Sequence, residues 1–292
     1  MVVMNPKVSV LVPIYRTDPT ILRVAIESVL NQTYADFELI LLDDSPSDPR
    51  EAVVRAFDDP RIRYERNERN LGISPSRNRL IDLARGEYLA VFDHDDVCRA
   101  DRLEKQVAWM DAHPDCGVVS SWTREIPSDR IVRRPSDDAI IRLELMGGCV
   151  VPHSAAMIRA SVLREAGIRY EEAYSPAEDW WLWLRLLPLT KFHVIPEPLI
   201  DYRLYAGNTS KAQAEKMKRA AVLVQEEAAG SGIQALRAAY LRLVCRVTVI
   251  RFLGVPLVRV ETCDRRTRVK LFCALTIFTI KRSEKSLSGL RP

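Results

Sequence analysis

Acidic clusters close two stretches of the chain that have the composition of buried β-strands. Leu42 is followed by Asp43 and Asp44, and Phe92 is followed by Asp93-His-Asp-Asp96. Clustered carboxylates repel one another unless a cation or a set of hydrogen-bond donors compensates their charge. Aspartate after a strand is also a common turn or capping residue, but two such clusters at one edge of a sheet favour a binding function.

The second cluster has the spacing of a site for a divalent cation. Asp93 and Asp95 are two residues apart, so in an extended segment their carboxylates lie on the same side and can share one hard cation with a diphosphate. We therefore expect Mg²⁺ or Mn²⁺ at this pair. His94 lies between them with its side chain directed away, which favours a packing role.

A third carboxylate pair, Glu178-Asp179, is suited to proton transfer. Adjacent helix residues point about 100° apart, so only one of the two can face a reacting hydroxyl. The run Ser175-Pro-Ala-Glu178 has the pattern of a capping box with proline at the first helical position, which assigns Glu178 to the backbone of its own helix. Asp179 is then the candidate base, with an expected pKa near 3.9. Capping by both acids is the alternative.

The elements that must position these groups alternate between strand and helix. Continuous apolar strands and amphipathic helices predict an α/β fold with a mostly parallel sheet covered on both faces, and ligands of such sheets sit beyond the carboxyl ends of the strands. The predicted strands are 8–15, 37–44, 62–65, 87–93, 118–122 and 155–159, with an extended run at 192–202; the predicted helices are 20–32, 49–57, 76–84, 103–112 and 178–187.

Two common nucleotide-binding patterns are missing. No glycine-rich turn follows the first strand, and no G-x-x-x-x-G-K-[ST] motif is present, which excludes dinucleotide dehydrogenases and P-loop nucleoside triphosphatases. The charge of a bound phosphate must therefore be neutralised by a metal and by side chains.

Five motifs in order resemble the signature of family 2 glycosyltransferases, over about residues 7–210. They are Val8-Ser-Val-Leu-Val-Pro-Ile-Tyr15, Leu42-Asp-Asp-Ser45, Asn70-Leu-Gly72 with Ser76-Arg-Asn78, Gly86-Glu-Tyr-Leu-Ala-Val-Phe-Asp-His-Asp-Asp96 and Ala177-Glu-Asp-Trp-Trp-Leu-Trp-Leu-Arg185. This resemblance implies a GT-A fold, a nucleotide-sugar donor (most often a UDP-sugar), a divalent cation and inversion at the anomeric carbon.

The resemblance also implies which residues bind the nucleotide. Pro13 and Tyr15 would border the nucleobase, and Asp44 or Asp43 would hydrogen-bond to the uracil edge. Arg77 resembles an arginine that contacts the nucleotide; the alternative is an exposed residue in the first turn of a helix.

Roles nearer the chemistry follow in the same way. Asp93 would reach the ribose or the metal, Asp95 would bind the metal, and Asp179 matches the family base. On the acceptor side, Pro152-His153-Ser154 resembles a family segment in which His153 is either an acceptor-side residue or, less favoured, a metal ligand. Trp180 or Trp181 would stack on a sugar unless both pack in the core.

One position departs from the family pattern. Family members often carry Tyr-Arg-x-His near the end of the catalytic domain, and here Tyr202-Arg-Leu-Tyr205 has tyrosine in place of the histidine. This substitution weakens the expectation of a third protein ligand for the metal.

Charge divides the chain into two parts. The 292 residues are 47% hydrophobic and 28% charged, with a net charge of +4, but residues 216–292 contain 16 basic and 5 acidic residues, a net charge of +11, which leaves −7 on residues 1–215. We predict a GT-A catalytic domain at 1–215 and a basic, amphipathic, helical extension at 216–292. Such an extension suits an anionic membrane surface, with contact through 233–285; packing on the catalytic domain or a homodimer interface is the alternative.

The sequence thus predicts an inverting glycosyltransferase that moves a sugar from a UDP-sugar to a hydroxyl of a surface-polysaccharide or lipid-linked glycan acceptor. A nucleotidyltransferase of similar fold and a non-catalytic nucleotide-binding module are the alternatives, and nucleic-acid binding is not expected. Six widely spaced cysteines without metal-ligand spacing, no signal peptide and no apolar run of spanning length predict a cytoplasmic protein, peripheral on the inner face of the plasma membrane.

Overall fold

The structure is a computed structural model that describes residues 5–205, 213–230, 246–252, 255–263, 266–271 and 275–281. The chain divides into two compact units, Met1–Glu227 and Ala228–Pro292. The predicted boundary between residues 215 and 216 falls within the helix Ala214–Gly230, and the assignment of separate roles to the two parts stays a prediction.

The first unit is built around a sheet of nine strands. The strands are β1 (Val8–Ile14), β2 (Phe37–Asp43), β3 (Ile62–Arg66), β4 (Tyr88–Val91), β5 (Val97–Cys98), β6 (Cys116–Ile126), β7 (Ile131–Val132), β8 (Met157–Arg159) and β9 (Lys191–Arg203). The helices are α1 (Pro19–Leu30), α2 (Glu51–Arg55), α3 (Ile73–Leu83), α4 (Arg102–Ala112), α5 (Asp138–Leu145), α6 (Ala160–Ala166), α7 (Glu178–Leu186) and α8 (Ala214–Gly230). The strand order is β3-β2-β1-β4-β8-β6-β9-β5, with β7 paired to β6.

The first four strands in chain order form the parallel part of the sheet, in the order β3-β2-β1-β4. Parallel neighbours require crossover connections, and here α1, α2 and α3 provide them, so the carboxyl ends of all four strands meet at one edge. Leu22, Ile26 and Val29 of α1 join the core cluster that contains alternate residues of β1. Helix α3 contacts β1 and β2 with residues outside that cluster. The predicted α/β architecture with helices on both faces of the sheet is therefore confirmed.

The rest of the sheet is mixed, where the sequence pattern becomes irregular. Strand β8 is antiparallel to both β4 and β6, while β6 and β9 are parallel. We call the β4–β8 junction the seam. Arg102, a fully buried residue of α4, braces it: Nη2 donates to the carbonyl oxygen of Val91 at 2.8 Å and to that of Ala156 at 3.2 Å. One buried guanidinium thus bridges the end of β4 and the start of β8.

The second unit contains a four-stranded antiparallel sheet. Its strands are β10 (Arg246–Phe252), β11 (Val255–Cys263), β12 (Arg266–Leu271) and β13 (Leu275–Lys281), paired in that order. The expected helical extension is therefore wrong for these residues, although α8 is helical as expected. The reason lies in residue type: Val247-Thr-Val-Ile250 is a run of β-branched residues, which pack well in strands and lose side-chain freedom in a helix. The predicted membrane-contact segment 233–285 lies partly outside the described residues.

No helix within the described ranges is both long enough and apolar enough to cross a membrane.

Candidate active site

A cleft of about 790 Å³ opens at the carboxyl edge of the parallel strands. It is lined by strand ends and by the first turns of α3, α7 and α8. The predicted site residues on its wall are Pro13, Tyr15, Asp44, Arg77, Asp93, His94, Asp95, His153, Glu178 and Asp179. These ten predicted residues share one cleft although they are up to 166 positions apart in the chain, from Pro13 to Asp179.

Asp44 anchors the loop that leads into α3. Its Oδ1 accepts hydrogen bonds from Asn67 Nδ2 at 2.7 Å and from the Leu71 amide at 2.8 Å, and its Oδ2 accepts one from the Gly72 amide at 2.9 Å. Gly72 has φ of +86°, a conformation that glycine adopts easily but that residues with a Cβ atom rarely adopt. Asp44 and Gly72 together fix the start of the helix that carries Arg77.

Asp43, the alternative to Asp44, is not part of the cleft wall. It is fully buried, and it accepts hydrogen bonds from the Ser45 amide at 2.9 Å, the Arg50 amide at 2.6 Å and the Tyr64 hydroxyl at 2.9 Å. These donors satisfy the carboxylate inside the protein. The nucleotide-binding assignment of Asp43 is therefore wrong, because the last residue of β2 points into the fold and only the next residue faces the cleft.

Arg77 lies at the centre of the cleft and is not the exposed helix residue of the alternative interpretation. Its side chain is 11% exposed. Nη2 lies 3.2 Å from Asp93 Oδ1, whereas Nη1 lies 3.8 Å from Glu178 Oε1 and 2.6 Å from His153 Nδ1. A single guanidinium therefore joins the strand that carries the aspartate pair to the helix that carries the candidate base.

His153 holds Arg77 in place. Its ring is 8% exposed, and its Nε2 lies 2.7 Å from the Tyr170 hydroxyl. Burial, together with the charge of Arg77, lowers the pKa of His153 well below its usual value, so the imidazole is neutral. Arg77 Nη1 lies 2.6 Å from Nδ1 and 2.9 Å from Nε2, and because a guanidinium can only donate, the neutral ring accepts a hydrogen bond from Arg77. Both ring nitrogens are engaged, which argues against the metal-ligand alternative for His153.

The Asp93–Asp95 pair lies in a strongly acidic part of the cleft. Burial raises the pKa of Asp93, an effect that the Arg77 charge opposes and the Asp95 charge reinforces. Burial also raises the pKa of Asp96 well above its usual value, with further contributions from Asp93 and Asp95. Carboxylates that are buried close together in this way favour a cation between them. Among the described residues, no group of three or more histidine, cysteine, aspartate or glutamate side chains is arranged to hold a metal.

Two neighbours of this pair complete its surroundings. His94 Nδ1 lies 2.9 Å from Thr17 Oγ1, so its ring is held against the loop after β1. Tyr205, the residue at the departure from the family pattern, lines the cleft. Burial and the Asp95 carboxylate, which accepts a hydrogen bond from its hydroxyl, raise the pKa of Tyr205. A neutral phenol therefore contacts Asp95 where the family pattern has an imidazole.

The first turn of α7 differs from the predicted capping box. The N-cap residue is Ala177, and no side chain caps the helix. Ser175 lies two positions before the N-cap, so the spacing that a capping box needs is not met. Glu178 is instead buried and turns towards Arg77. The capping role of Glu178 is therefore wrong, and the glutamate contributes charge to the centre of the cleft.

Asp179 is the carboxylate on this turn that is only partly buried. Its Oδ1 accepts a hydrogen bond from the Trp180 amide at 2.7 Å, and its Oδ2 lies 3.7 Å from Cys149 Sγ. Burial, together with the charge of Glu178, raises the pKa of Asp179 to about 6. The expectation of an ordinary pKa was wrong, because the sequence does not reveal that Asp179 is buried beside a second carboxylate. A pKa of about 6 makes Asp179 a stronger base that is still ionised at neutral pH.

Trp180 and Trp181 do not line the cleft as expected. Trp180 is buried, and its Nε1 donates to the Leu145 carbonyl oxygen at 2.7 Å. Trp181 is buried as well; its Nε1 donates to Glu171 Oε1 at 2.8 Å and its ring stacks on Tyr174. The sugar-stacking assignment of both tryptophans is therefore wrong, because the helix directs them into the core, the usual place for large aromatic side chains.

Sequence reasoning missed several residues of the cleft wall. Lys216, in the first turn of α8, lines the cleft, as do Arg134 and Cys149. Their chain positions carry no motif. The excess of acid in residues 1–215 was the one sequence signal that pointed to a need for basic partners.

Comparison with protein families matches the model of glycosyl transferase family 2 to residues 9–167. The chain belongs to this family. An uncharacterized glycosyltransferase of Methanocaldococcus jannaschii is 30% identical over 223 residues, which cover 73% of this chain and 76% of the relative. The Escherichia coli enzyme WfgD, a UDP-Glc:alpha-D-GlcNAc-diphosphoundecaprenol beta-1,3-glucosyltransferase, is 28% identical over 214 residues, which cover 73% of this chain and 83% of the enzyme.

Solved structures confirm the GT-A fold of this family 2 glycosyltransferase. Staphylococcus aureus TarS 1-349 in complex with UDP-GlcNAc superposes with a TM-score of 0.62 at 19% identity, over 75% of this chain and 65% of TarS. The mannosyltransferase PcManGT from Pyrobaculum calidifontis, in complex with GDP-Man and Mn²⁺, superposes with a TM-score of 0.54 at 18% identity, over 82% of this chain and 81% of PcManGT. The chain thus spans just under two thirds of the TarS chain.

Proposed function

We propose that this glycosyltransferase moves a sugar from a UDP-sugar to a hydroxyl of a surface-polysaccharide or lipid-linked glycan acceptor, with inversion at the anomeric carbon. One observation carries the proposal: the Asp93–Asp95 pair and the partly exposed Asp179 line the same cleft, with Arg77 between them. The Asp93–Asp95 pair suits a diphosphate with its cation, and Asp179 suits an acceptor hydroxyl that loses a proton.

The donor end of the cleft supports a nucleoside diphosphate. Tyr15 is exposed at the end of β1 and offers an aromatic face next to Pro13, where a nucleobase would lie. Asp44 has its carboxylate on the same wall. TarS is solved with UDP-GlcNAc and PcManGT with GDP-Man, so related folds accept more than one base. We assign uridine from the family resemblance.

The residues present fit a divalent cation held by few protein ligands. Mn²⁺ or Mg²⁺ is typically held by one or two carboxylates together with substrate phosphates and water, and Asp93 and Asp95 provide two carboxylates in an acidic environment. A bound cation would neutralise charge on the leaving diphosphate. Arg77 and Lys216 add positive charge on the same cleft wall.

Asp179 would act as the general base. Inversion requires the acceptor hydroxyl to approach from the side opposite the leaving diphosphate, and the base must face that side. With a pKa of about 6, Asp179 is ionised at pH 7 and takes the proton of the hydroxyl as the new bond forms. Glu178 is paired with Arg77 and positions the site.

We also propose the acceptor class and the location. WfgD, by its name, acts on a diphosphoundecaprenol-linked sugar, which is an acceptor at a membrane surface. The net charge of +11 on residues 216–292 would favour an anionic membrane. We therefore place the protein in the cytoplasm, in peripheral contact with the inner face of the plasma membrane.

Asp179→Asn tests the proposal. The substitution keeps the size of the side chain but removes the base, so transfer should fall by at least about 100-fold, the usual contribution of a positioned base, while UDP-sugar binding with Mn²⁺ stays within about twofold of wild type. Sugar transfer is measured with a panel of nucleotide sugars and lipid-linked acceptors, and binding by calorimetry. Loss of donor binding would reassign Asp179 to the nucleotide.

A further inference from the structure

Arg134 lies on the cleft wall, and no carboxylate of the described residues forms an ion pair with it. It follows β7, which pairs with β6 through Thr123↔Val132, and it lines the cleft. Trp122 Nε1 donates to the Arg134 carbonyl oxygen at 2.9 Å, which fixes the backbone at this point. The preceding residue, Arg133, places its guanidinium 5.4 Å from the centre of the Trp122 ring, so the two adjacent arginines have different surroundings.

The guanidinium of Arg134 has unused hydrogen-bonding capacity. Its Nε is buried and has no partner, and within the described part of the chain no carboxylate forms an ion pair with it. A buried N–H without a partner is unfavourable, because it has lost its hydrogen bonds to water. Two other charged residues of the wall have partners: Arg77 lies beside Asp93 and Glu178, and Glu125 is paired with Arg130.

Arg134 lines the same cleft as Cys149 and the candidate base Asp179. Its charge acts on Cys149 and lowers the pKa of that thiol, against the larger effect of burial. The Cys149 Sγ lies 3.7 Å from Asp179 Oδ2. The charge of Arg134 therefore acts on Cys149, which neighbours the candidate base Asp179. The cation beside the Asp93–Asp95 pair is Arg77, which belongs to α3.

We propose that Arg134 binds an oxyanion, a phosphate or a carboxylate, of the acceptor substrate beside the hydroxyl that Asp179 deprotonates. This inference rests on the proposed transferase function. A guanidinium presents a planar fork of N–H donors that matches both oxyanions in bidentate geometry. This proposal explains why the buried Nε of Arg134 has no partner in the free protein, because its hydrogen-bond acceptor would belong to the bound acceptor substrate.

The test compares charge removal at two adjacent positions. Binding of N-acetylglucosamine 1-phosphate, glucuronic acid and N-acetylglucosamine is measured by calorimetry, in the presence of saturating UDP and Mn²⁺ so that the donor site is filled. The proteins are wild type, Arg134→Gln, Arg134→Lys and the matched control Arg133→Gln, which removes the same charge from the arginine stacked on Trp122.

We expect wild type to bind at least one of the two anionic sugars about tenfold or more tightly than the neutral sugar. Arg134→Gln should abolish this preference, Arg134→Lys should keep part of it, and Arg133→Gln should leave it intact. A preference for the phosphate sugar identifies a glycan phosphate as the acceptor, and a preference for glucuronic acid identifies an acidic sugar. The proposal is overturned if wild type shows no preference or if both glutamine variants lose it equally.

Donor affinity separates this proposal from the transferase proposal. UDP binding is measured with the same four proteins, and Arg134→Gln should change it by less than twofold. A large loss of UDP binding would place Arg134 at the donor diphosphate and overturn the acceptor assignment. If wild type binds no nucleotide sugar at all, the transferase proposal fails, whereas the oxyanion preference of Arg134 is still measured with the acceptor sugars alone.

Discussion

The raised pKa of Asp179 gives the sharpest prediction, because it fixes both the activity and the stability of the protein as functions of pH. The pKa rises from 3.8 to about 6, and one pKa unit corresponds to about 1.4 kcal/mol. The folded protein therefore favours the protonated form by about 3 kcal/mol more than the unfolded chain does. Activity needs the ionised form, so kcat/KM should fall as the pH drops through about 6, to roughly a tenth of its plateau at pH 5.

Two substitutions should move this acid limb in opposite directions. Glu178→Gln removes the negative charge that raises the pKa of Asp179, so the limb should shift to lower pH. Cys149→Ala removes the thiol whose hydrogen bond lowers that pKa, so the limb should shift to higher pH. The kcat/KM profiles of the three proteins are recorded between pH 4.5 and 8 at fixed Mn²⁺, a range chosen to bracket the expected limb around pH 6. Profiles that coincide, or a wild-type limb near pH 4, would refute the assignment of the base.

Stability provides a readout that does not depend on activity. The folded state binds the Asp179 proton more tightly than the unfolded state, so this carboxylate makes unfolding easier as the pH rises from about 4 to above 6. Asp179→Asn should therefore raise the free energy of unfolding at pH 7 by up to about 3 kcal/mol and have little effect at pH 4. Urea denaturation at the two pH values measures the difference, and an equal effect at both would contradict a raised pKa.

Two further predictions concern the other aspartates. Asp95→Ala should abolish transfer at every Mn²⁺ concentration, and wild type should lose activity when a chelator removes the metal. A wild-type enzyme that stays fully active in chelator would contradict the metal assignment. Asp48→Ala, which removes an exposed carboxylate, is the control. Asp43→Ala should lower the free energy of unfolding by about 3 kcal/mol, because one buried and two partly buried donors lose their acceptor at about 1 kcal/mol each, and it should leave UDP affinity unchanged. Loss of UDP binding, measured by calorimetry below the unfolding transition, would return Asp43 to the nucleotide site.

The sequence predicts the parallel half of the fold because its signals are local. Strands such as Val8–Ile14 are runs of apolar residues, and α1 carries its apolar residues at helical spacing, so period and residue type are sufficient there. Strand β7, of two residues, and α5 have no comparable signal. The second unit is predicted as helix but forms strands, because arginines interspersed with apolar residues resemble an amphipathic helix, whereas the β-branched residues favour strands.

The sequence predicts which residues line the candidate cleft better than it predicts their electrostatics. Asp95 and Asp179 belong to sequence motifs, and both lie on the cleft wall. The burial of Asp179, the turn of Glu178 towards Arg77 and the packing of Trp180 depend on contacts between distant parts of the chain. The position of Arg134 on the cleft wall is also not predictable from the sequence, because a single arginine in a polar stretch belongs to no motif.

The seam gives the geometry of the candidate site an unusual origin. The aspartate pair follows β4, and Asp179 belongs to the part of the chain that follows β8, so the distance between the aspartate pair and Asp179 depends on how these two strands meet. Arg102 fixes that meeting point through main-chain carbonyl oxygens, on which side-chain identity has no bearing. We expect the reaction distance to survive extensive change in the surrounding loops, which leaves those loops free to diversify towards new donors and acceptors.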